Sequence, residues 1–260
     1  MTGETVLTEL KGGVGTLTLN RPDVRNALNP AMIRELHEAL RAFDQETDAR
    51  VVLVRGAGDR AFCAGADLKA VAGHASTIEA REHFGGIANI LELMARMRKP
   101  IIAQVHGYAL AGGCGLAAGC DLVVASEDAV FGLPEIKVGL LPLIVMAPIV
   151  RSVGRKRGLL MVLSGEQITA RDAWEMGLVS LLVPRELLEV KARELAEKLA
   201  GYSPSALALA KEGFMTIQDM EYGKSLHYLR ELSALVALSE DAKEGIAAFF
   251  EKRPPRWTGR

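Results

Sequence analysis

Two short runs of apolar and β-branched residues open the chain, at residues 6–10 and 14–20, with Gly12 and Gly13 between them. Strand-like runs separated by two glycines predict a β-hairpin. Arg21, Pro22 and Asp23 then turn the chain, and Asn29-Pro30 places a capping residue before a proline at the first helical position. The helix this predicts runs to about Gln45, with Met32, Leu36, Ala39, Leu40 and Phe43 on one face. A compact β-branched strand follows at residues 51–55 and ends in Gly56-Ala57-Gly58. A long helical stretch, residues 77–98, is stopped by Pro100. Residues 101–105 form the next strand, residues 107–119 a glycine-rich turn with a small-residue helix, and residues 121–125 and 130–133 two further strands. Strands alternating with helices imply α/β architecture.

The pattern changes in the last quarter. Strands stop near Val183, and from about Glu186 the chain reads as helix to its end. Apolar residues recur at three- and four-residue spacing near residues 203–218, 221–238 and 241–252. A core over residues 1–195 followed by a helical region over 196–260 is the expected organisation, and helices with exposed apolar faces need a partner surface.

The chain's 260 residues can bury a large core. With 49% apolar and 24% charged residues the composition is ordinary globular. A net charge of −1, without Lys/Arg runs interleaved with aromatics, speaks against a nucleic-acid partner. No apolar stretch reaches the ~18 residues of a membrane span; the longest, residues 138–150, contains Pro142 and Pro148. The opening Met-Thr-Gly-Glu-Thr has no basic-then-apolar leader pattern, so a cytoplasmic protein is expected. Cys63, Cys114 and Cys120 lack C-x-x-C spacing and sit among small residues, which predicts buried thiols. His37, His74, His83, His106 and His227 lack metal-ligand spacing, so no metal is expected, and His106 reads as a structural residue at a strand end. No G-x-S-x-G occurs, and Ser164 reads as the cap of a loop, which disfavours nucleophilic hydrolysis.

Three segments carry candidate chemistry. In residues 60–69, Ala64, Gly65 and Ala66 let a ligand approach the backbone, and Asp67 suits a turn or cap. In residues 105–116 a strand leads into glycines that open a helix, where unpaired N–H groups attract negative charge. Those glycines do not complete G-x-G-x-x-G, so a dinucleotide loop is disfavoured. In residues 131–140, Pro134 places Glu135 in a first helical turn, ahead of the apolar run Leu140, Leu141, Leu143, Ile144, Val145 and Met146. The helix dipole lowers the pKa of such a carboxylate, whereas an apolar wall raises it towards what a general base needs.

Together these segments resemble the enoyl-CoA hydratase/isomerase (crotonase) family. Asn20-Arg-Pro-x-x-x-Asn-Ala-Leu28, Leu163-Ser-Gly-Glu-x-Ile with the Ala-x-x-x-Gly-Leu-Val179 that follows, and Ala248-Phe-Phe-Glu-Lys-Arg253 extend the likeness over nearly the whole chain. The resemblance implies a spiral of ββα units with a C-terminal all-helical oligomerisation region, building a homotrimer or a hexamer of paired trimers. It implies an acyl-CoA substrate, with coenzyme A part of the substrate and no tightly bound cofactor. It implies a thioester enolate held by the backbone N–H groups of Ala66 and Gly112, with Glu135 as acid/base. Ala64, Gly65, Asp67 and Leu68 would supply the CoA adenine site, Lys69 and Arg25 would lie near its phosphates, and Phe249 and Lys252 would complete the site from a neighbouring subunit.

One departure bears on the reaction. Hydratases of this pattern carry a further glutamate three residues after Gly112, where this chain has Gly115, and the glycine-rich run usual after Gly139 is replaced by Leu141–Pro148. An open place beside Gly115 is therefore expected. Enoyl-CoA hydration is the leading expectation. Isomerisation of a 3-enoyl-CoA to a 2-enoyl-CoA and acyl-CoA binding without turnover are the alternatives.

Overall fold

The structure, a computed structural model, describes residues 4–73 and 75–260. The expected hairpin is present: β1 (Val6–Lys11) and β2 (Val14–Leu19) pair antiparallel, and Gly12 and Gly13 both take positive φ in the two-residue turn. Asn29 accepts the Met32 N–H through its side chain at 2.9 Å and starts α1 (Pro30–Gln45). That helix buries Met32, Ile33, Leu36, Leu40 and Phe43.

The spiral then repeats strand, strand, helix. β3 (Val51–Gly56) and β4 (Ala61–Cys63) lead into α2 (Leu68–Ala72) and α3 (Thr77–Arg96). β5 (Ile101–Val105) and β6 (Tyr108–Leu110) lead into α4 (Gly112–Gly119). β7 (Leu122–Ser126) and β8 (Val130–Gly132) lead into a 3₁₀ turn, Pro134–Val138, and then α5 (Met146–Val153) and α6 (Arg155–Ser164). After β9 (Gln167–Thr169), α7 (Ala170–Glu175) and β10 (Leu181–Val183) the chain is helical: α8 (Leu188–Ala200), α9 (Pro204–Ile217), α10 (Tyr222–Leu238) and α11 (Glu240–Glu251). In the three passes from β3 to β8 the first strand joins a 6-stranded sheet, β1-β2-β3-β5-β7-β10, which β1, β2 and β10 complete. The second joins a 4-stranded sheet, β4-β6-β8-β9. Beyond the β1–β2 and β8–β9 pairs, all neighbours are parallel.

A parallel sheet is buried on both faces, and β3 shows how the sequence meets that demand. Val52 and Val54 face the main core with Met32, Leu36 and Phe62. Val51 and Leu53 face the other way, against Leu188, Ala192, Ala196 and Ala200 of α8. That four-residue stripe keeps α8 on the sheet to its last turn, so residue 195 falls inside a core helix.

Helices α9, α10 and α11 pack on one another. The buried ammonium of Lys211 ties α9 to the body, donating to Met94 O at 2.8 Å, Lys99 O at 3.1 Å and the Asp121 carboxylate at 2.7 Å. Asp241 on α11 is 1% exposed. Its carboxylate accepts from the Ser203 and Ser205 hydroxyls at 2.6 and 3.0 Å, from Thr258 N–H at 2.7 Å and from Gly259 N–H, so the chain's last residues fold back onto the helices.

All three thiols are free and buried, and burial pushes those of Cys63 and Cys114 up to about 12. Ser164 ends α6 and its hydroxyl accepts the Glu166 N–H in the loop, while Thr169 caps the following helix. Among the described residues no helix is long and apolar enough to cross a membrane.

Candidate active site

The residue 60–69 segment is held by the Asn20–Leu28 motif. Asn26, fully buried at positive φ, donates to Ala57 O and Ala61 O and accepts the Arg21 N–H. Arg21 in turn binds the Asp67 carboxylate through both terminal nitrogens, each at 3.1 Å, while Asp67 also caps Lys69 N–H. Backbone bonds complete the clamp: Ala64 N–H to Arg25 O, Leu28 N–H to Gly65 O at 2.7 Å, and Asp67 N–H to Leu28 O. A trans peptide points its C=O and N–H in opposite directions. With the Gly65 carbonyl turned to Leu28, the Ala66 N–H faces the other way. It finds no acceptor in the backbone hydrogen bonds of the described residues.

The same geometry recurs at α4. The Ala111 carbonyl accepts the Gly115 N–H along the helix at 3.1 Å, so the Gly112 N–H, first in α4, points back out of the helix start, where the helix offers it no acceptor and none of the described residues' other backbone bonds includes it. The turn is strained. Ala111 sits at φ 53, ψ −127, a region that costs an L-residue on the order of 1–3 kcal/mol. Its N–H is pinned to Gly132 O at 2.8 Å, which fixes the turn against β8. Gly65 (φ +95) meets this turn without room for a side chain, since a Cβ there would lie 2.5 Å from Ala111 Cβ and 3.1 Å from Gly112 N. The two orphan N–H groups are therefore neighbours on one wall.

Glu135 follows β8 in the first turn of the 3₁₀ segment, with Pro134 ahead of it as expected. The pairing of Leu110 with Gly132 sets its distance from Gly112 through the register of two short strands. Burial raises the Glu135 pKa above the ordinary carboxylate value, against a smaller opposing pull from its own N–H, and its Oε2 is buried with no hydrogen-bond partner. Desolvation thus outweighs the pull of the local backbone N–H in the first turn. Ala64, Ala66, Ala111, Gly112 and Glu135 line one cavity of about 490 Å³, whose remaining wall is almost wholly apolar.

The open place expected beside Gly115 is absent. A Cβ on Gly115 would stand 2.1 Å from Val145 Cγ1 and 2.3 Å from Val145 Cβ. Val145 is 4% exposed and itself lines the cavity. The two departures noted in the sequence are therefore one: the valine from the apolar segment fills what a side chain at 115 would need.

Leu68 also lines the cavity, while Lys69 and Arg25 are exposed, with the Arg25 guanidinium over the Tyr108 ring at 5.6 Å. Phe249 and Lys252 are not brought to the cavity; they lie at the exposed end of α11, with Phe249 78% exposed. No histidine lines the cavity, and His74 lies outside the described residues. No cluster among the described residues is placed to hold a metal ion. The sequence reading missed Arg21 and Asn26 as braces of the site, although both stand within a motif it singled out. It also missed Ala111, whose signal is positional only: an alanine before a glycine-started helix.

A sequence profile described as enoyl-CoA hydratase/isomerase matches residues 9–260. A 2,3-dehydroadipyl-CoA hydratase of Escherichia coli (strain K12) is 43% identical, over 94% of this chain and 94% of that protein. A probable mitochondrial enoyl-CoA hydratase of Dictyostelium discoideum is 39% identical over 97% of this chain and 90% of that protein. The crystal structure of an enoyl-CoA hydratase from Bacillus anthracis superposes with a TM-score of 0.94 at 35% identity, covering 98% of this chain and 100% of that one.

Proposed function

The chain belongs to the enoyl-CoA hydratase/isomerase family, and from that premise we propose that it is an enoyl-CoA hydratase-type enzyme using one carboxylate, Glu135. The observation that carries the reading is the convergence of two acceptor-free backbone N–H groups, those of Ala66 and Gly112, on a cavity that also holds a buried carboxylate with an unpartnered oxygen.

The thioester oxygen of a 2-enoyl-CoA lies between the two N–H groups. Glu135 takes a proton from a water molecule, the water oxygen bonds to C3, and the C2–C3 π electrons move onto the thioester oxygen as an enolate. When the enolate collapses, Glu135 returns the proton to C2. A preorganised backbone donor at such an oxyanion is typically worth about 3–4 kcal/mol of barrier. Both donors are fixed before substrate arrives, by the Leu28 and Gly115 hydrogen bonds. The raised pKa of Glu135 suits a group that must both take and give a proton.

A second reading has its own support. Val145 fills the side of Gly115, so no other carboxylate stands by to hold water. Moving a proton from C2 to C4 of a 3-enoyl-CoA needs only one base and the same enolate clamp. The CoA adenine would lie along the backbone of Ala64, Gly65, Asp67 and Leu68, with Lys69 and Arg25 at the phosphates. Phe249 and Lys252 would come from a second copy in a homotrimer or a hexamer of paired trimers. The exposed Phe214, Leu235, Leu238, Ile246, Phe249 and Phe250 of α9–α11 support such packing.

Loss of crotonyl-CoA absorbance tests hydration, with a 3-enoyl-CoA assayed in parallel for isomerisation. Glu135→Gln should lower either turnover at least 1,000-fold, within the range expected for a lost acid–base group, while CoA affinity stays within about threefold. A variant with wild-type kcat would remove Glu135 from the mechanism. Sedimentation velocity reads the assembly state.

A further inference from the structure

We infer that this site favours acyl chains of medium length or longer that are apolar to their end over four-carbon chains, and rejects chains ending in a carboxylate. The inference deepens the acyl-CoA reading above and rests on it.

The cavity's size falls within the ~300–1,000 Å³ of pockets that engulf a drug-sized ligand, far more than a four-carbon chain occupies. Away from the Ala66–Gly112 wall it is closed by Val71 of α2, Phe84 and Ile87 of α3, and Leu140 and Ile144 of the segment before α5. That apolar surface does not stop at the mouth. Leu68, Val138, Leu141 and Leu143 also line the cavity, yet each is more than half exposed, so the lining runs outward as an apolar rim. Water-exposed leucine and valine around an apolar pocket gain from being covered by more of the same chain. Each buried methylene contributes about 0.8 kcal/mol, roughly a fourfold gain in affinity.

Among the described residues, only two ionisable groups lie on the wall. Glu135 is negative when ionised, the same sign as a terminal carboxylate. Lys137 is half exposed and bonds the exposed Glu166 at 3.0 Å, so its ammonium stands on the solvent side of the wall. A carboxylate carried to the far end of this cavity would lose its water and meet no cation of its own, a burial the protein interior strongly disfavours. A dehydroadipyl chain ends in such a group. The 43% identity to a 2,3-dehydroadipyl-CoA hydratase therefore does not carry that preference to this chain.

The test measures binding and turnover separately on the intact protein. Titration calorimetry with butyryl-, heptanoyl-, decanoyl- and adipyl-CoA should show affinity rising at least tenfold from butyryl to heptanoyl. Heptanoyl-CoA should bind at least 30-fold more tightly than adipyl-CoA, which is similar in length. The kcat/KM for 2-heptenoyl-CoA should exceed that for 2,3-dehydroadipyl-CoA by about 100-fold, the order expected when a buried charge is left unpaired. Leu143→Lys, on the exposed rim, should improve adipyl-CoA binding and bring the two ligands within tenfold. Equal affinities for heptanoyl- and adipyl-CoA, or an adipyl-CoA affinity unmoved by Leu143→Lys, would overturn the inference. So would a plateau at four carbons, which would mean that a second copy of the chain covers the rim. If heptanoyl-CoA binds tightly and no enoyl-CoA is turned over, the chain-selecting pocket stands and the hydratase reading falls.

Discussion

Adding a single methyl group at Gly115 tests the packing beside the two donors. The alanine Cβ would lie 2.1 Å from Val145 Cγ1, 2.3 Å from its Cβ and 3.3 Å from its Cα, where carbon atoms need about 3.5–4.0 Å. Rotating Val145 about χ1 moves Cγ1 but leaves its Cβ in place, so relief requires α4 and the residue 139–145 segment to separate by more than an ångström. Overpacking of this kind costs about 1–3 kcal/mol, and the depth of the overlap puts Gly115→Ala at the upper end. In a chain of 260 residues about 3 kcal/mol lowers Tm by roughly 6–12 °C. Gly115→Glu costs several kcal/mol more, because it also buries a carboxylate without a partner. Val145→Gly alone loses packing worth about 2–4 kcal/mol. Combined with Gly115→Ala it restores the room, so the pair should be about 2 kcal/mol more stable than the sum of the single losses. Thermal and urea unfolding of the four proteins by circular dichroism measures the cycle. A Gly115→Ala variant within about 1 °C of wild type, or strict additivity, would refute the reasoning. The reaction follows the same logic: Gly115→Glu raises hydration relative to isomerisation only when Val145→Gly accompanies it.

Glu135 gives a pH-dependent stability of unusual sign. Its folded pKa is raised, so the folded state holds a proton longer than the unfolded chain does, and stability falls as pH rises through the window above the ordinary 4.5. Glu135→Gln should therefore raise Tm at neutral pH, a gain that vanishes below pH 4.5, and wild-type kcat/KM should fall as pH drops through the raised value. Ala111→Gly should stabilise the fold by about 1 kcal/mol, since the relief of φ 53, ψ −127 exceeds the chain entropy that glycine adds; a lower Tm would show that the turn is unstrained. Asp241→Asn should cost about 3 kcal/mol, because an amide cannot accept all the hydrogen bonds that the buried carboxylate accepts. Burial disfavours that charge, but the bonds from Ser203, Thr258, Ser205 and Gly259 prevail and depress the Asp241 pKa. This contribution is thus present above the ordinary 3.8 and lost as pH falls through the depressed value, which acid titration of the two proteins reads.

The elements set by local chemistry were legible along the chain. Asn29-Pro30 named the start of α1, Pro100 ended the run of α3, and Gly12-Gly13 marked the hairpin, because capping and turn formation act over a few residues. The small sheet was not fully legible. β4, β6 and β9 are three residues each, too short for alternation to declare itself, and only the register of their neighbours makes them strands. Around the site, Glu135 and the two glycine-rich turns stood out because proline, glycine and a lone carboxylate are unusual in apolar surroundings. The contact of Gly115 with Val145 joins positions thirty residues apart and leaves no periodic trace, so the place beside Gly115 read as open when it is filled. Arg21 and Asp67 read singly as turn residues, and only the fold makes them an ion pair.

The two orphan N–H groups belong to the main chain, and that has a consequence for how such a protein can change. Apart from proline, which has no N–H, a side-chain substitution cannot delete them; it can only move the turns that aim them, at Gly65, Ala111 or Gly113, where a Cβ on Gly113 would meet Cys63 O at 2.1 Å. If the proposed clamp holds an enolate, carboxylates and wall residues around it could be exchanged one codon at a time while that ability persists. On the proposed reading, descendants of this scaffold would inherit the hard part of the reaction by default and vary only the easy part: where the proton goes next and which chain it travels along.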